Sequence, residues 1–443
     1  MTKTPKAEGF SPAEIVEWLD RHVVGQDSAK RTVAIALRNR FRRRLVDEPM
    51  RSEIYPSNLI MMGPTGIGKT EIARRLAGLV GAPFIKVEAT KYTETGYVGR
   101  DVESMVRHLV RQAVNLAARN ARAGKDRQAE AAAEARILRA LAALPEYAEI
   151  PREKLRRLYR SGGLDEVLVE LSVAQEPPGV EVFPMMPGSG MDGSMGETIR
   201  NMMKKVMGGR RRKVSMTVEE ARKRLFEEEM SRLLEGGDHN QHGLRMAAEE
   251  GIIFIDEIDK IIGTEGGSGP DVSRMGVQRD LLPLVEGCAV QTRYGPVSTD
   301  HMLFIAAGAF HGAKPTDLIP ELQGRFPLRV SLSPLSEGDL LRVLTEPEGS
   351  LLKQFTALLE ADGVELKMTA GACRQVASVA WSMNESGEDI GARRLRPVMT
   401  HLLDEYLFGA PDLVRGKVGI DRKAAAGALS GLVGNADEGD YIL

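Results

Sequence analysis

The chain alternates between short apolar runs and longer segments in which apolar residues recur with helical spacing. The apolar runs include "NLIMM", "PFIKV", "GIIFI" and "HMLFI", and runs of this length are typical of buried parallel strands. The segment "DVESMVRHLVRQAVNLAARNARA" places apolar residues three and four positions apart, as an amphipathic helix does. Strands that alternate with helices predict an α/β fold whose parallel sheet carries helices on both faces.

This alternation is interrupted between the second and the third apolar run. An Ala- and charge-rich stretch begins near residue 115, and a Pro-, Gly- and Met-rich stretch follows it, "QEPPGVEVFPMMPGSGMDGSMGE". A helical pattern then returns in "NMMKKVMGGRRRKVSMTVEEARKRLFEEEMSRLLEGG". Connections in compact α/β units usually run only about 2–6 residues, so the long interval predicts a separate domain inserted into the α/β domain.

The predicted fold consists of four segments that form three domains. We expect the α/β domain to consist of residues 1–110 and 244–332, and the inserted, mainly helical domain to consist of residues 111–243. Residues 333–443 are expected to form a smaller, mostly helical C-terminal domain. Their apolar positions keep helical spacing in segments such as "SEGDLLRVLTEP" and "AGACRQVASVAWSMNES".

The overall composition narrows the class of protein. The 443 residues are 42% hydrophobic and 28% charged, and the net charge of −2 provides no basic field for nucleic acid. The two cysteines, Cys288 and Cys373, form no C-x-x-C pair, so they predict neither a disulfide framework nor a zinc site. The start "MTKTPKAEGF" lacks a signal-peptide core, and no run of about 18 apolar residues occurs. We therefore expect a soluble, cytoplasmic protein.

A phosphate-binding motif provides the clearest chemistry. Residues 63–70, "GPTGIGKT", satisfy G-x-x-x-x-G-K-[ST] and stand between an apolar run and a helical segment. The glycines allow backbone N–H groups to turn toward phosphate, and the helix N-terminus adds positive potential. Lys69 is expected to reach the β- and γ-phosphates, and Thr70 to ligate Mg²⁺. The alternative is a chance glycine turn, which the strand–loop–helix context disfavours.

Two acidic residues end the third apolar run, in "IIFIDEIDK". We expect Asp256 to hold Mg²⁺ through its water shell, and Glu257 to act as general base on the attacking water. The alternative is an acidic cap on a surface helix, which fits poorly beside a complete phosphate-binding motif. Together the two motifs predict a Mg²⁺-dependent ATPase.

Arginines in two further segments are candidates for contact with a nucleotide. Arg325, in "PELQGRF", could stabilise charge on a γ-phosphate in its own subunit or a neighbouring one, or form a surface ion pair. Arg393 and Arg394, in "DIGARRLRP", are expected to begin a helix. Because adjacent residues do not share a helix face, at most one of these two should face the nucleotide. A solvated basic face is the alternative for this pair.

With these motifs the chain resembles the AAA+ ATPases, and among them the ATPase subunits of the two-component HslUV (ClpYQ) proteases. The resemblance covers nearly the whole chain, and it is specific in "HVVGQDSAKR", "GPTGIGKTEIARRLA", "PFIKVEATKYTETGYVGRDVESMVR", "GIIFIDEIDKI", "SGPDVSRMGVQRDLLPLVEG", "AFHGAKPTDLIPELQGR" and "DIGARRL". Over residues 115–243 only the position, the length and the Met/Gly-rich character match this family.

The resemblance implies a hexameric ring that uses ATP and Mg²⁺ and stacks on an HslV-type peptidase ring. It implies that Val24 lines the adenine pocket, that Glu321 lies near the nucleotide at the subunit interface, and that Arg325 reaches a neighbour's γ-phosphate. Arg393 would report the nucleotide state to the C-terminal domain. The residues implied to contact phosphates and Mg²⁺ are Gly66, Ile67, Gly68, Lys69, Thr70 and Glu71.

The segment "TETGYVGRD" resembles the family's axial pore loop, which comprises Gly96, Tyr97, Val98 and Gly99. A bulky ring between glycines could grip many side chains and move when the nucleotide changes, because glycine tolerates wide changes in backbone angles. The alternative is that Tyr97 packs into the core beneath a loop.

The tail "DEGDYIL" ends in an apolar pair with a free carboxylate. By resemblance, Tyr441, Ile442 and Leu443 would insert between peptidase subunits when ATP is bound. The alternative is a frayed terminus.

The chain departs from the AAA+ pattern in one place. Many AAA+ proteins carry a polar residue at the end of the strand that precedes the arginine finger. Here "LFIAAGAF" offers only Ala306, Ala307 and Gly308, so no side chain can be assigned to that first-sensor role.

Several functions compete at this point. The first is a protein unfoldase that pulls protein substrates into a partner peptidase, since the chain carries no protease motif of its own. The second is an AAA+ nucleic-acid motor or a free-standing remodeller, which the near-neutral charge disfavours. A third is the related ClpX unfoldase, whose zinc-binding N-terminal domain has no counterpart here. Arg210–Lys213 is more typical of a solvated loop than of a nucleic-acid site.

Overall fold

The computed structural model describes residues 9–92, 101–174, 211–234, 239–262 and 271–432. These residues divide into two units. The main unit consists of the chain up to Ala113, of Leu244–Thr292, and of the chain from Pro296 onward. The inserted unit consists of Val114–Gly243 and Arg293–Gly295. A finer division of the main unit near residue 332 remains a prediction.

A five-stranded parallel sheet forms the centre of the main unit. Numbered along the chain, its strands are β1 (Leu59–Met62), β2 (Phe84–Glu88), β5 (Ile252–Asp256), β8 (Leu303–Gly308) and β9 (Leu328–Ser331). They are ordered β2-β5-β8-β1-β9, and every neighbouring pair is parallel. All six residues of β8 are buried. The α/β fold with a parallel sheet is therefore confirmed.

Helices enclose this sheet. The helices that lie wholly or partly in the main unit before residue 333 are α1 (Pro12–Asp20), α2 (Asp27–Arg43), α3 (Met50–Glu53), α4 (Lys69–Val80), α5 (Glu103–Ala123), α9 (His239–Glu250), α10 (Asp271–Glu286) and α11 (Pro320–Arg325). On one face, residues of α1, α2 and α4 pack against Met61, Phe254 and Ile305. Because side chains alternate along a strand, Ile60 and Phe304 point to the opposite face, where they are also buried. Burial on both faces explains why these strands are continuous apolar runs.

The main unit continues with mostly helical structure after residue 333, as predicted. Its helices are α12 (Glu337–Thr345), α13 (Leu351–Ala361), α14 (Ala370–Ser386), α15 (Leu395–Gly409) and α16 (Arg422–Leu429). They share one apolar cluster with the parallel strands β10 (Val364–Met368) and β11 (Gly416–Ile420). These strands, and the two-stranded sheet of β6 (Ala289–Thr292) and β7 (Gly295–Ser298), were not predicted. Strand β11 reads "GKVGI", and its two glycines have little preference for a strand.

The inserted unit contains helices α6 (Asp126–Ala142), α7 (Arg152–Arg160) and α8 (Val218–Leu234), with strands β3 (Leu168–Ala174) and β4 (Arg211–Thr217). The strands pair antiparallel, from Leu168 opposite Thr217 to Ala174 opposite Arg211. The sequence-based expectation of helix, with a loop at Arg210–Lys213, is therefore wrong for residues 211–217.

The period-2 pattern of β4 explains this error. Val214 and Met216 both pack into the apolar cluster of the inserted unit, as alternate residues of a strand can. The start of α8 is marked by a capping box, because the Thr217 hydroxyl accepts a hydrogen bond from the Glu220 N–H at 3.3 Å and a Glu220 oxygen accepts one from the Thr217 N–H at 3.2 Å. The sequence "TVEE" already contained this boundary signal.

Among the helices in the described part of the chain, none has both the length and the apolar character that a membrane crossing requires.

The buried face of β8 leads to a stability prediction. Phe304→Ala removes a side chain that is 0% exposed at the centre of the sheet, and such truncations cost about 3–5 kcal/mol. Phe408→Ala is the matched control, since Phe408 is 87% exposed, and the expected change is within about 0.5 kcal/mol. Denaturant midpoints followed by circular dichroism measure both changes. Equal shifts for the two variants would contradict the burial of Phe304.

Candidate active site

A cavity of about 970 Å³ lies at the carboxyl ends of the central strands. This is the edge of an open parallel sheet at which ligands bind. Its walls come from the loop after β1, the ends of β5 and β8, the segment after α1 and the chain between α12 and α15. The structure brings these predicted site residues to the cavity wall: Gly66, Gly68, Lys69, Thr70, Glu71, Asp256, Glu257 and Arg393.

The glycine loop has a backbone that other residues would adopt only with strain. Gly63, Gly66 and Gly68 have φ values of 140°, 78° and 103°. A Cβ on Gly66 would lie 1.9 Å from the carbonyl oxygen of Ile390, so this position has no room for a side chain. Helix α4 begins at Lys69, immediately after the loop. Its N-terminal N–H groups therefore lie at the cavity, where they favour an anion.

Lys69 is only 8% exposed, and its ammonium group lies against the loop. Its Nζ donates hydrogen bonds to the carbonyl oxygens of Gly63 at 2.5 Å and Pro64 at 2.8 Å. Burial lowers the pKa of Lys69, while the charges of Asp256 and Asp259 oppose that change. A phosphate group would provide the buried ammonium with an anionic partner in addition to these neutral carbonyl oxygens.

Asp256 is the last residue of β5, and Glu257 begins the turn that follows it. One Asp256 oxygen lies 2.8 Å from the Nζ of Lys86, on the neighbouring strand β2, and the other accepts the Glu257 N–H at 3.1 Å. Glu257 is exposed and has a φ of 58°, in the left-handed region. Such a conformation costs a non-glycine residue about 1–3 kcal/mol and is found most often at functional sites.

Glu71, at the start of α4 on the cavity wall, already has two charged partners. The Glu71 carboxylate pairs with Arg74 at 2.5 Å and with Arg75 at 2.6 Å, on the next turn of α4. Burial raises the pKa of Glu71, but the hydrogen bonds from Arg75 and Arg74 outweigh it and hold that pKa below its usual value. Glu71 thus lies at the cavity with its carboxylate directed to the arginines of its own helix.

The two adjacent arginines after residue 390 are separated by the structure. Both lie in the short 3₁₀ turn Gly391–Arg394, but only Arg393 lines the cavity. Arg394 donates hydrogen bonds to the side chain of Asn384 at 3.3 Å and to the carbonyl of Glu388 at 2.8 Å. This arrangement leaves Arg393 as the member of the pair that can reach a ligand.

Other predicted residues are not brought to the cavity wall. Val24 and Ile67 are buried, at 5% and 3% exposed, and they do not line the cavity. Glu321 and Arg325 are exposed on α11, and Arg325 forms an ion pair with Glu286 at 2.9 Å. Residues Gly96, Tyr97, Val98 and Gly99, and the tail residues Tyr441, Ile442 and Leu443, lie outside the described residues.

Known proteins can be aligned with this chain over nearly its whole length. Two family profiles match it, "ATPase family associated with various cellular activities (AAA)" over residues 59–122 and "AAA domain (Cdc48 subfamily)" over residues 180–329. Three proteins named "ATP-dependent protease ATPase subunit HslU" are 51% identical over 437 residues (Chelativorans sp.), 50% over 434 (Hyphomonas neptunium) and 46% over 464 (Halalkalibacterium halodurans). Each alignment covers 98% of this chain and 99% of the relative.

The chain belongs to the HslU family. The resemblance drawn from its motifs is therefore confirmed, and as an HslU protein with AAA domains the chain is an ATPase that binds ATP.

The cavity fits a nucleotide. Within the described residues, both ring nitrogens of His22 and the hydroxyl of Ser350 are buried without a hydrogen-bond partner, and both residues line the cavity. Burial and the charge of Arg75 lower the pKa of His22, which favours the neutral ring. Buried polar groups without partners are costly, and the donors and acceptors of a nucleotide could satisfy them.

The sequence analysis did not single out these two residues. His22 precedes the "VVGQ" segment and could have been found by its position two residues before Val24. Ser350 stands before α13 with no motif around it. It joins the cavity wall only because the chain folds back on the sheet.

The close approach at Gly66 leads to a binding prediction. In Gly66→Ala, the new Cβ must displace the Ile390 carbonyl, and alanine must adopt a positive φ. Strain of about 1–3 kcal/mol corresponds to roughly 5- to 150-fold weaker ATP binding if all of it is carried by the bound state. Equilibrium binding of a fluorescent ATP analogue measures the change.

Gly78→Ala is the matched control for this variant. It lies in the same helix, α4, and an added Cβ meets nothing within 4 Å. Its ATP binding should equal that of the native chain. Unchanged binding in Gly66→Ala would show that the loop does not need this close approach.

Proposed function

We propose that the chain forms the ATP-driven unfolding ring of an HslV-type peptidase, and that its six subunits thread protein substrates through a central channel. The observation that supports this proposal is one cavity that joins the glycine loop, buried Lys69, the Asp256–Glu257 turn and Arg393. The relatives are named as ATPase subunits of an ATP-dependent protease. The peptidase activity would come from the partner, since this chain is an ATPase and not a peptidase.

Within the cavity we assign roles by chemistry. The loop N–H groups and Lys69 would bind the phosphates, and the Thr70 hydroxyl with the Asp256 carboxylate would hold Mg²⁺, since this ion takes oxygen ligands and is usually bound through one or two protein groups plus substrate phosphates. When bound, the metal would neutralise charge that develops on the phosphates. Asp256 would then exchange its ion pair with Lys86 for contact with the water shell of the metal.

Glu257 would remove a proton from the attacking water. Its left-handed backbone sets the direction of its side chain at the end of β5, and it is exposed and forms no ion pair with the residues that the structure describes. A Glu257 oxygen lies 3.5 Å from the Thr90 hydroxyl, at the limit of a hydrogen bond. A base that is loosely held in this way can turn toward water when substrate is present.

The ring would complete each site across a subunit boundary. Arg325 and Glu321 are exposed on α11 and lie away from the cavity of their own chain, as a role in the neighbouring subunit requires. Arg325 must leave its pair with Glu286 to reach a neighbour's γ-phosphate. An exposed ion pair of this kind contributes only about 0–1 kcal/mol to stability, so breaking the pair between Arg325 and Glu286 would cost little free energy.

The contacts with substrate and partner rest on sequence alone. Tyr97, between Gly96 and Gly99, would grip substrate in the channel, and Tyr441–Leu443 would dock on the peptidase ring. We place the protein in the cytoplasm, where two unpaired cysteines would remain reduced.

The role of Glu257 can be tested alone. Glu257→Gln should bind ATP with unchanged affinity and hydrolyse it about 100-fold more slowly or worse, since general-base catalysis contributes roughly 10²–10⁴-fold. Phosphate release and fluorescent-nucleotide binding measure the two properties. Glu365→Gln, an exposed residue on β10, is the control that should retain full turnover. Normal turnover in Glu257→Gln would remove this residue as the base.

The partner is tested by stimulation of an HslV-type peptidase. We expect the full chain with ATP to stimulate cleavage of a small peptide, and a chain that ends at Gly439 to lose this stimulation while it keeps its ATPase activity. Tyr97→Ala should keep peptide cleavage and lose degradation of a folded protein. No stimulation by the full chain, with the ATPase intact, would reject the peptidase as partner.

A further inference from the structure

The end of strand β8 reaches the cavity without a polar side chain of its own. The strand is the middle one of the sheet, and its last residues are Ala306, Ala307 and Gly308. Gly308 and the next residue, Ala309, line the cavity. Any polar group at this edge of the cavity floor must come from another element.

Asp259 supplies that group. It belongs to the short 3₁₀ turn Ile258–Ile261 that follows β5. One of its carboxylate oxygens, Oδ2, accepts a hydrogen bond from the Phe310 N–H at 3.1 Å. The other, Oδ1, would lie only 2.5 Å from a Cβ placed on Gly308. The carboxylate thus fills the space that a side chain at the end of β8 would take.

The hydrogen bond joins two strained turns. Phe310 has a φ of 56° and Glu257 has a φ of 58°, both in the left-handed region that non-glycine residues seldom adopt. Glu257 stands at the start of the 3₁₀ turn, and its carbonyl accepts the Lys260 N–H at 3.0 Å. A conformation of this kind persists only when the surrounding structure holds it. Asp259, two residues after Glu257, connects the turn to β8.

We propose that Asp259 is a positioning residue for ATP hydrolysis, which anchors the turn that carries Glu257 to the end of β8. This inference rests on the proposed role of Glu257 as general base. Asp259 would act through the backbone of residues 257–261 and 308–311, and it would leave the affinity for ATP almost unchanged. The position of the Asp259 carboxylate also explains why residue 308 is glycine, since any Cβ there would displace the carboxylate.

The first test compares Asp259→Ala with Asp259→Asn. Asparagine keeps an oxygen that can accept the Phe310 N–H, whereas alanine removes it. We expect kcat for ATP to fall at least tenfold in Asp259→Ala and to stay within threefold in Asp259→Asn. The dissociation constant of a fluorescent ATP analogue should stay within threefold in both. Equal impairment of the two variants, unchanged kcat in Asp259→Ala, or parallel loss of binding would overturn the proposal.

The second test leaves Asp259 in place and displaces it. In Gly308→Ala, the new Cβ must push away Oδ1 and, on its other side, the edge of the Phe310 ring at 2.8 Å. We expect a loss of kcat similar to that of Asp259→Ala. In the double variant Asp259→Ala/Gly308→Ala the carboxylate is absent and only the contact with the Phe310 ring remains, so the two losses should combine to clearly less than their product. Fully multiplicative losses would contradict the shared mechanism. Gly427→Ala, with nothing within 4 Å of the added Cβ, is the control.

Glu257→Gln in the same assay separates this inference from the proposed function. Normal turnover in Glu257→Gln would reject the base itself. A slow Glu257→Gln together with a normal Asp259→Ala would reject only the anchor. Thermal unfolding of each variant shows whether the chain is folded, and if Asp259→Ala does not fold, the comparison of Asp259→Asn with Gly308→Ala decides the question.

Discussion

The backbone of the glycine loop touches the backbone of residues 390–392, and the nucleotide site depends on this contact. The Ala392 N–H donates a hydrogen bond to the carbonyl oxygen of Gly66 at 3.2 Å. A Cβ on Gly391 would lie 2.8 Å from the carbonyl oxygen of Thr65, so the contact needs glycine on both sides. Because the next residue along the chain is Arg393, the same contact places a guanidinium group on the cavity wall. A shift of the glycine-loop backbone would therefore displace the backbone of residues 390–392, and the reverse is also true.

The parallel sheet supplies the second constraint. Since the carboxyl ends of parallel strands meet at one edge, the loop after β1, the acids Asp256 and Glu257 at the end of β5 and the glycine at the end of β8 converge on one cavity. In the described part of the chain, two of the three non-glycine residues with positive φ, Glu257 and Phe310, lie at this edge. The continuous buried strands behind it provide the rigid support that such strain requires.

The charges in the cavity form internal pairs that a nucleotide would rearrange. Asp256 pairs with Lys86, Glu71 pairs with two arginines of α4, and Lys69 donates to the carbonyls of its own loop. A phosphate group is a stronger partner for the Lys69 ammonium than the neutral carbonyl oxygens that it contacts. Because Lys69 is already buried, nucleotide binding would add little to the desolvation of its ammonium group.

The sequence by itself determined the sheet strands, the glycine loop, the acidic turn and the family, because these features are local. Each depends on a short run of apolar residues or a motif of fixed spacing, as in "LIMM", "GPTGIGKT" and "IIFIDE". The sequence did not predict strand β4, because its arginines and lysine obscured a period-2 pattern. It also did not predict β10 and β11, which pair with each other across a long stretch of chain. Only the tertiary structure decided which of Arg393 and Arg394 reaches the cavity, placed His22 and Ser350 on its wall, and brought Asp259 to the end of β8. These depend on how separate elements pack, and no local pattern encodes the distance between side chains that meet only after folding.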